Sequence, residues 1–160
     1  FQSYILKGAT NHQMQIGASF SSINAIHVVF VNNELTAHSH QFTAFKKGNL
    51  KNATLMIDGY PILSANGIDS SDAINLAYAR LAQHSLGNME RWGHTDAGRY
   101  LTDSYVVSFD TETLFGKEKL RSGLNATSST MNLKLDFASV DTDIGLYVFV
   151  QYDALVSMNV

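Results

Sequence analysis

The sequence predicts an all-β fold, a sandwich of eight strands in two sheets with one α-helix. Its final stretch, Ile144 to Val160, is apolar on both faces when extended, since aliphatic side chains alternate with Tyr147 and Phe149. Residues Met131 to Phe137 alternate apolar and polar side chains, as in a strand with one buried and one solvent-exposed face. Since a C-terminal strand buried on both faces must insert between earlier strands, we expect Ile144 to Val160 to lie inside a sheet.

Length and composition narrow the class of protein. A chain of 160 residues fits one domain, and its balance of 16% charged and 11% aromatic residues is typical of β-rich folds. The net charge of -3 and the absence of a basic cluster argue against direct nucleic-acid binding. Because no apolar run approaches the roughly 20 residues that cross a bilayer, we expect no membrane insertion. The absence of cysteine excludes disulfides and thiolate metal sites.

The first half of the chain predicts five strands. Short extended segments span Ser3 to Leu6 and Gln13 to Phe20, and a stronger strand, crowded with β-branched and aromatic residues, spans Ile23 to Val31. We expect His38 to Phe45 and Asn52 to Ile57 to pair as a hairpin through a Lys-Lys-Gly-Asn turn, with the second strand ending at Asp58-Gly59.

One helix is predicted, from about Ser70 to Leu86. Ile74 and Tyr78 belong to a set of apolar residues at helical spacing, and Gly87 stands where a left-handed stop is needed. Residues Gly87 to Tyr100 follow as a long loop, a length that favours a functional or interfacial role.

The second half predicts the remaining three strands. They span Leu101 to Phe109, Met131 to Phe137 and the final stretch, with a long connection from Asp110 to Asn125. Irregular connections followed by two long strands favour a jelly roll, that is, two packed sheets of eight strands in total.

Candidate chemical groups are few. His38 and His40 share one strand face, but two imidazoles do not fill a tetrahedral metal shell, and Asp141 and Asp143 read as a turn. Ser122 precedes Gly123 without a nucleophile motif or an assignable base. The sequence therefore predicts no enzyme, no metal and no cofactor.

Two further patterns have more than one interpretation. The triplets beginning at Asn52 and Asn125 match the N-glycosylation pattern, but this pattern is short and common, and without a secretory signal we expect the match to carry no function. Trp92 and Tyr100, in or beside a Gly-rich loop, fit stacking on a sugar or contact with a partner protein, and Trp92 equally fits capping of the helix end.

In Ser104 to Thr127 a predicted strand leads through an Asp-containing turn to Ser-Gly-Leu-Asn, here Ser122 to Asn125. This segment resembles one in the double jelly-roll viral major capsid proteins of virophages, Polinton-like viruses and nucleocytoplasmic large DNA viruses. The two strands that follow resemble the last two strands of the family. Tyr60-Pro61 and the predicted helix fall where these proteins place a helix before the seventh strand.

The resemblance implies a structural virion protein without enzymatic activity. It implies homotrimeric capsomers in an icosahedral capsid, with contacts to other capsid proteins. The family carries two jelly rolls per chain, so residues 1–160 are expected to be one jelly-roll domain, either the C-terminal part of a longer polypeptide or a single-jelly-roll relative. The first residue, Phe1 rather than Met, favours the first of these. Because aromatics, arginine and apolar loop residues dominate such contacts, the expected interface residues are Arg91, Trp92, Tyr100, Phe115 and Leu124.

A carbohydrate-binding β-sandwich is the alternative function. It would use Trp92 and Tyr100 for stacking and hold calcium between Asp141 and Asp143.

Overall fold

The computed structural model describes residues 1–32, 49–66, 105–111, 123–139 and 144–154. These residues form eight β-strands and no helix, and therefore contain no helix long and apolar enough to cross a membrane. The strands are β1 (Gln2–Leu6), β2 (Asn11–Ile16), β3 (Ile23–Asn32), β4 (Leu50–Ile57), β5 (Tyr60–Asn66), β6 (Val106–Asp110), β7 (Met131–Phe137) and β8 (Ile144–Tyr152). The predicted all-β class is confirmed over this part of the chain.

The strands form two antiparallel sheets of four. The first sheet has the order β1-β8-β3-β6, and the second has the order β2-β7-β4-β5. Within them, β1 pairs with β8, β2 with β7, β3 with β6 and β4 with β5. The first four strands thus pair in reverse order with the last four and form one long antiparallel ribbon. This ribbon is folded over, and the further pairs β3-β8 and β4-β7 join its paired strands into the two sheets.

The core lies between the sheets and consists of the inward residues of both. In β7, Met131, Leu133, Leu135 and Phe137 are buried, whereas Lys134 is exposed and forms a 3.7 Å ion pair with Asp136 on the outer face. The solvent-exposed face predicted for this strand is therefore confirmed. Other inward side chains complete the core: Ile26, Val28, Phe30, Leu55, Val107, Phe109, Leu146 and Val148.

The C-terminal strand has the central position predicted for it. β8 lies between β1 and β3, and Leu146 and Val148 are buried against the second sheet. The prediction that both of its faces are buried is wrong, since Phe149 is 43% exposed. Each sheet of a two-layer sandwich buries one face by packing, so an apolar outward residue is not buried by the sandwich itself.

The hairpin predicted between His38 to Phe45 and Asn52 to Ile57 is also wrong. Both edges of β4 are occupied, one by β7 and the other by β5, which follows directly in the chain. Residues Asp58 and Gly59 make the turn, with φ of 49° and 85°. Pro61 argues against a central strand, but it is tolerated because β5 is the outermost of the described strands in its sheet and has a register shift beside it.

Some strand ends differ from their predicted positions, and some predictions cannot be located. β2 ends at Ile16 rather than at Phe20. The predicted helix from Ser70 to Leu86, the loop from Gly87 to Tyr100 and the segment from His38 to Phe45 lie outside the described residues.

Candidate interaction surface

The outer face of the first sheet has two halves of different character. On β3 and β6 five outward side chains are buried, namely Ala25, Val29, Val31, Val106 and Ser108, and two polar ones, His27 and Asp110, are half-buried. Beside β1 and β8 the outward side chains reach the surface, although several of them are apolar. The exposed apolar area of this face is therefore confined to its β1 and β8 side.

Four residues form this exposed area, which we call the aromatic strip: Phe1, Ile5, Tyr147 and Phe149. Phe1 is 84% exposed, and its ring centroid lies 5.8 Å from that of Phe149 and 6.3 Å from that of Tyr147. Ile5 is opposite Gly145 on the neighbouring strand, so no β8 side chain covers it there. Contiguous exposed apolar side chains of this kind mark contact surfaces.

Two polar side chains of β1 fasten the edges of the two sheets together. The side-chain oxygen of Gln2 accepts a hydrogen bond from the backbone N–H of Gly17 at 3.0 Å. The hydroxyl of Tyr4 lies within hydrogen-bonding distance of the Gln15 carbonyl oxygen and of Gln2 Oε1. Burial raises the pKa of the Tyr4 hydroxyl above its ordinary value, because the phenolate loses hydration there. These contacts hold β1 beside β2 while its outward face stays free.

A polar cluster, which we call the terminal clamp, holds the chain just after β8. The carboxylate of Asp153 accepts hydrogen bonds from Ser22 Oγ at 2.9 Å and from Asn24 Nδ2 at 2.8 Å. The backbone N–H of Asp153 donates to the Ser22 carbonyl oxygen, also at 2.9 Å. Ser22 is fully buried, so its hydroxyl depends on these protein partners.

Gly123 and Leu124, from the Ser-Gly-Leu-Asn motif, contact the terminal clamp and the first residue of β3. Leu124 and Ile23 exchange two backbone hydrogen bonds, of 2.8 and 2.9 Å, and the N–H of Gly123 donates to Ser22 Oγ. A Cβ atom at Gly123 would lie 2.5 Å from the Ile23 carbonyl oxygen and 2.5 Å from Asn24 Oδ1. Glycine is needed here because the two backbones approach so closely.

Of the five predicted interface residues, the structure describes one. Leu124 is half-buried and packs against the core cluster. The others, Arg91, Trp92, Tyr100 and Phe115, lie outside the described residues, as do His38, His40, Asp141 and Asp143. Within the described ranges no group of three His, Asp or Glu side chains is placed to hold a metal ion.

One contact has the chemistry of a nucleophile and a base. His27 Nδ1 lies 2.9 Å from Ser108 Oγ across the β3-β6 pair. Ser108 is only 3% exposed, so a substrate cannot reach its hydroxyl in this conformation. The contact satisfies two polar groups on a largely buried surface.

The aromatic strip and the terminal clamp were not predicted as sites. The alternation in the final stretch already separated Tyr147 and Phe149 from Leu146, and a two-layer sandwich leaves one of those faces outward. The alternation alone therefore identifies Tyr147 and Phe149, two of the four residues of the aromatic strip. No sequence signal joins Ser22 to Asp153, because they are 131 positions apart.

Over the described residues the fold is a two-sheet antiparallel β-sandwich with an exposed aromatic strip on the first sheet. No protein-family model matches the chain, and no curated protein is significantly similar to it.

Proposed function

We propose that the chain is a jelly-roll structural protein that assembles with copies of itself, as a capsomer component of an icosahedral virus capsid. In this proposal it acts without catalysis or a cofactor. Its partners are two further copies in a trimer and other capsid proteins, and its location is the virion.

The pairing order of the strands is the observation that carries this proposal. A ribbon in which the first four strands pair in reverse order with the last four, rolled into two four-stranded sheets, is the wrapping expected of a jelly roll. Viral capsid domains are one of the classes built on that wrapping, and lectin domains and cupins are others. The resemblance of Ser104 to Thr127 and of the last two strands to capsid proteins favours the first class.

The aromatic strip supports self-association. Fully burying an aromatic side chain removes about 150–250 Å² from water. With Phe1 84%, Ile5 58% and Phe149 43% exposed, the strip offers on the order of 300–400 Å² per copy. A stable interface needs about 800 Å² per partner, so further residues must contribute. In this proposal the additional area comes from Arg91, Trp92, Tyr100, Phe115 and Leu124.

The edges of the two sheets differ in a way that favours contact at β1. Proteins protect open edge strands with proline, charged side chains or bulges. At the edge of the second sheet, β5 has Pro61 and a register shift in its pairing with β4. At the edge of the first sheet, β1 has no proline, no charged residue and no register shift. Among the described strands none pairs with the other side of β1, and that side lies beside the aromatic strip.

Sedimentation velocity on the purified chain tests the proposal. We expect a trimer or larger assembly at tens of micromolar protein, and we expect Phe149→Ser to shift it toward monomer. Tyr60→Ser is the matched control, since Tyr60 is a 76% exposed aromatic on the other sheet. Circular dichroism and the melting temperature establish that each variant is folded.

Two outcomes count against the proposal. One is a wild-type chain that stays monomeric under these conditions, and the other is equal dissociation of the assembly by both substitutions. Calorimetric titration with a saccharide panel addresses the carbohydrate-binding alternative. A monomer that binds a saccharide would replace the structural proposal by that alternative.

A further inference from the structure

The two Asn-x-Thr triplets differ sharply in their surroundings, and the assembly proposal uses neither of them. We infer that Asn125 is an acceptor site for an N-linked glycan on the folded chain, and that Asn52, despite the same motif, is not. The two asparagines differ in exposure, in the hydrogen bonds of the amide group and in the pairing of the backbone.

The triplet at Asn125 lies on the surface, outside the strands. Asn125 and Thr127 are exposed. Asn125 Oδ1 accepts a hydrogen bond from the Thr127 backbone N–H at 3.1 Å and another from Thr127 Oγ1 at 2.8 Å. Because a backbone N–H only donates, the atom facing it must be the amide oxygen. The nitrogen that would receive the sugar, Asn125 Nδ2, has no hydrogen-bond partner among the described residues.

The backbone of this triplet is fixed in place on both sides of the asparagine. Leu124 pairs with Ile23, and the N–H of Ala126 donates to the Phe20 carbonyl oxygen at 2.9 Å. The carbonyl oxygen of Thr127 accepts a hydrogen bond from Ser19 Oγ. Asn125 is therefore presented at a constant position at the end of the sandwich, and modifying it requires no unpairing of a strand.

The triplet at Asn52 has the opposite properties. It lies in β4, which is paired with β7 on one side and with β5 on the other. Asn52 Nδ2 donates to Thr54 Oγ1 at 3.2 Å and lies 3.5 Å from Asp136 Oδ2. The amide nitrogen is thus already engaged and half-buried. The backbone of this triplet is also paired on both sides, so a glycosyltransferase that binds the triplet in extended form would have to separate β4 from a neighbouring strand.

The reaction is a group transfer from an oligosaccharide carried on a lipid diphosphate. A bond forms between Asn125 Nδ2 and C1 of the first sugar, and the bond between C1 and the diphosphate oxygen breaks. The lipid diphosphate leaves, and the amide nitrogen gives one proton to a base of the transferase. The step needs no oxidant or reductant.

The test offers the folded chain to a detergent-solubilised oligosaccharyltransferase with its lipid-linked oligosaccharide donor. Peptide mass spectrometry then measures the occupancy of each asparagine. A heat-denatured sample is the control, because both triplets are accessible once the chain is unfolded. We expect the folded chain to be modified at Asn125 at least about tenfold faster than at Asn52, and the denatured chain to be modified at both.

Variants assign the modification to the triplet. Asn125→Gln and Thr127→Ala should abolish it on the folded chain, Thr127→Ser should retain it, and Asn52→Gln should leave it unchanged. A folded chain that stays unmodified while the denatured chain is modified at Asn125 overturns the inference, as does equal modification of both asparagines in the folded chain. Neither result depends on whether the chain forms trimers.

Discussion

The carboxylate of Asp153 and the hydroxyl of Ser22 lie 2.9 Å apart, although 131 positions separate these residues in the sequence. Their hydrogen bond joins the chain just after the last strand to the residue before β3. Since the N–H of Gly123 also donates to Ser22 Oγ, one buried hydroxyl connects three distant segments of the chain. The end of the sandwich therefore depends on polar contacts as well as on its apolar core.

Asp153→Ala should lower the free energy of unfolding by about 2–3 kcal/mol, because it removes a charged acceptor and leaves the buried Ser22 hydroxyl without it. Urea denaturation measures this change. Ala154→Ser, at the exposed neighbouring position, should change stability by less than about 0.5 kcal/mol. In a double-mutant cycle with Ser22→Ala, the two effects should be non-additive. Strict additivity would mean that the two groups do not interact.

Gly123→Ala should destabilise the fold by about 1–3 kcal/mol, because the added methyl group would lie 2.5 Å from the Ile23 carbonyl oxygen and force the two backbones apart. Gly145→Ala is the matched control. The Cβ atom added at Gly145 would lie 3.4 Å from its nearest neighbour, the Val31 carbonyl oxygen, so a smaller loss of stability is expected. Thermal unfolding of both variants decides the comparison, and a larger loss for Gly145→Ala would contradict the close approach at Gly123.

The turn between β4 and β5 allows backbone strain to be separated from hydrogen bonding. Asp58 has a φ of 49°, and its Oδ1 accepts from the Thr130 N–H at 2.8 Å. Asp58→Asn keeps an acceptor and tolerates this φ, so it should be nearly neutral. Asp58→Gly loses only the acceptor and should cost about 1 kcal/mol, and Asp58→Ala adds strain and should cost about 2 kcal/mol. Denaturant midpoints test this order, and a harmless Asp58→Ala would contradict it.

Alkaline pH should reveal the burial of Tyr4. Its pKa is raised in the folded state by desolvation, so the unfolded chain ionises first as the pH rises past about 10. The folded state then binds more protons than the unfolded state, and stability falls with increasing pH until the folded pKa is passed. Tyr4→Phe should remove this part of the slope, whereas Ser3→Ala on the same strand should retain it. Stability curves at pH 8 to 11 provide the measurement, and an unchanged slope in Tyr4→Phe would contradict the assignment.

Strand existence could be predicted from the sequence where side chains alternate or where β-branched residues cluster. Met131 to Phe137 is predicted and observed with the same ends, because strict alternation is itself the pattern of a half-buried strand. Tyr60–Asn66 was not predicted as a strand. A proline fits a strand at a sheet edge or beside a bulge, and only the tertiary structure places Pro61 in such a position.

Strand pairing was harder to predict than strand existence. The hairpin expected before Asn52 rested on proximity in sequence, whereas β4 pairs instead with the strand after it and with the distant β7. Pairing over such distances is chosen by which arrangement buries both sheet faces at once, and a local pattern does not report that. Leu124 packs against the core and is only half-buried, so its place in an interface stays a prediction.

The sequence by itself determined the all-β class, the central place of the C-terminal strand and the alternation that builds the core, because these follow from the polarity of neighbouring side chains. Only the tertiary structure decided which apolar face of that strand stays exposed, which strands are neighbours and which of two identical glycosylation motifs presents a free amide nitrogen. Those properties depend on atoms brought together from distant positions, and burial and hydrogen bonding are defined only once both partners are in place.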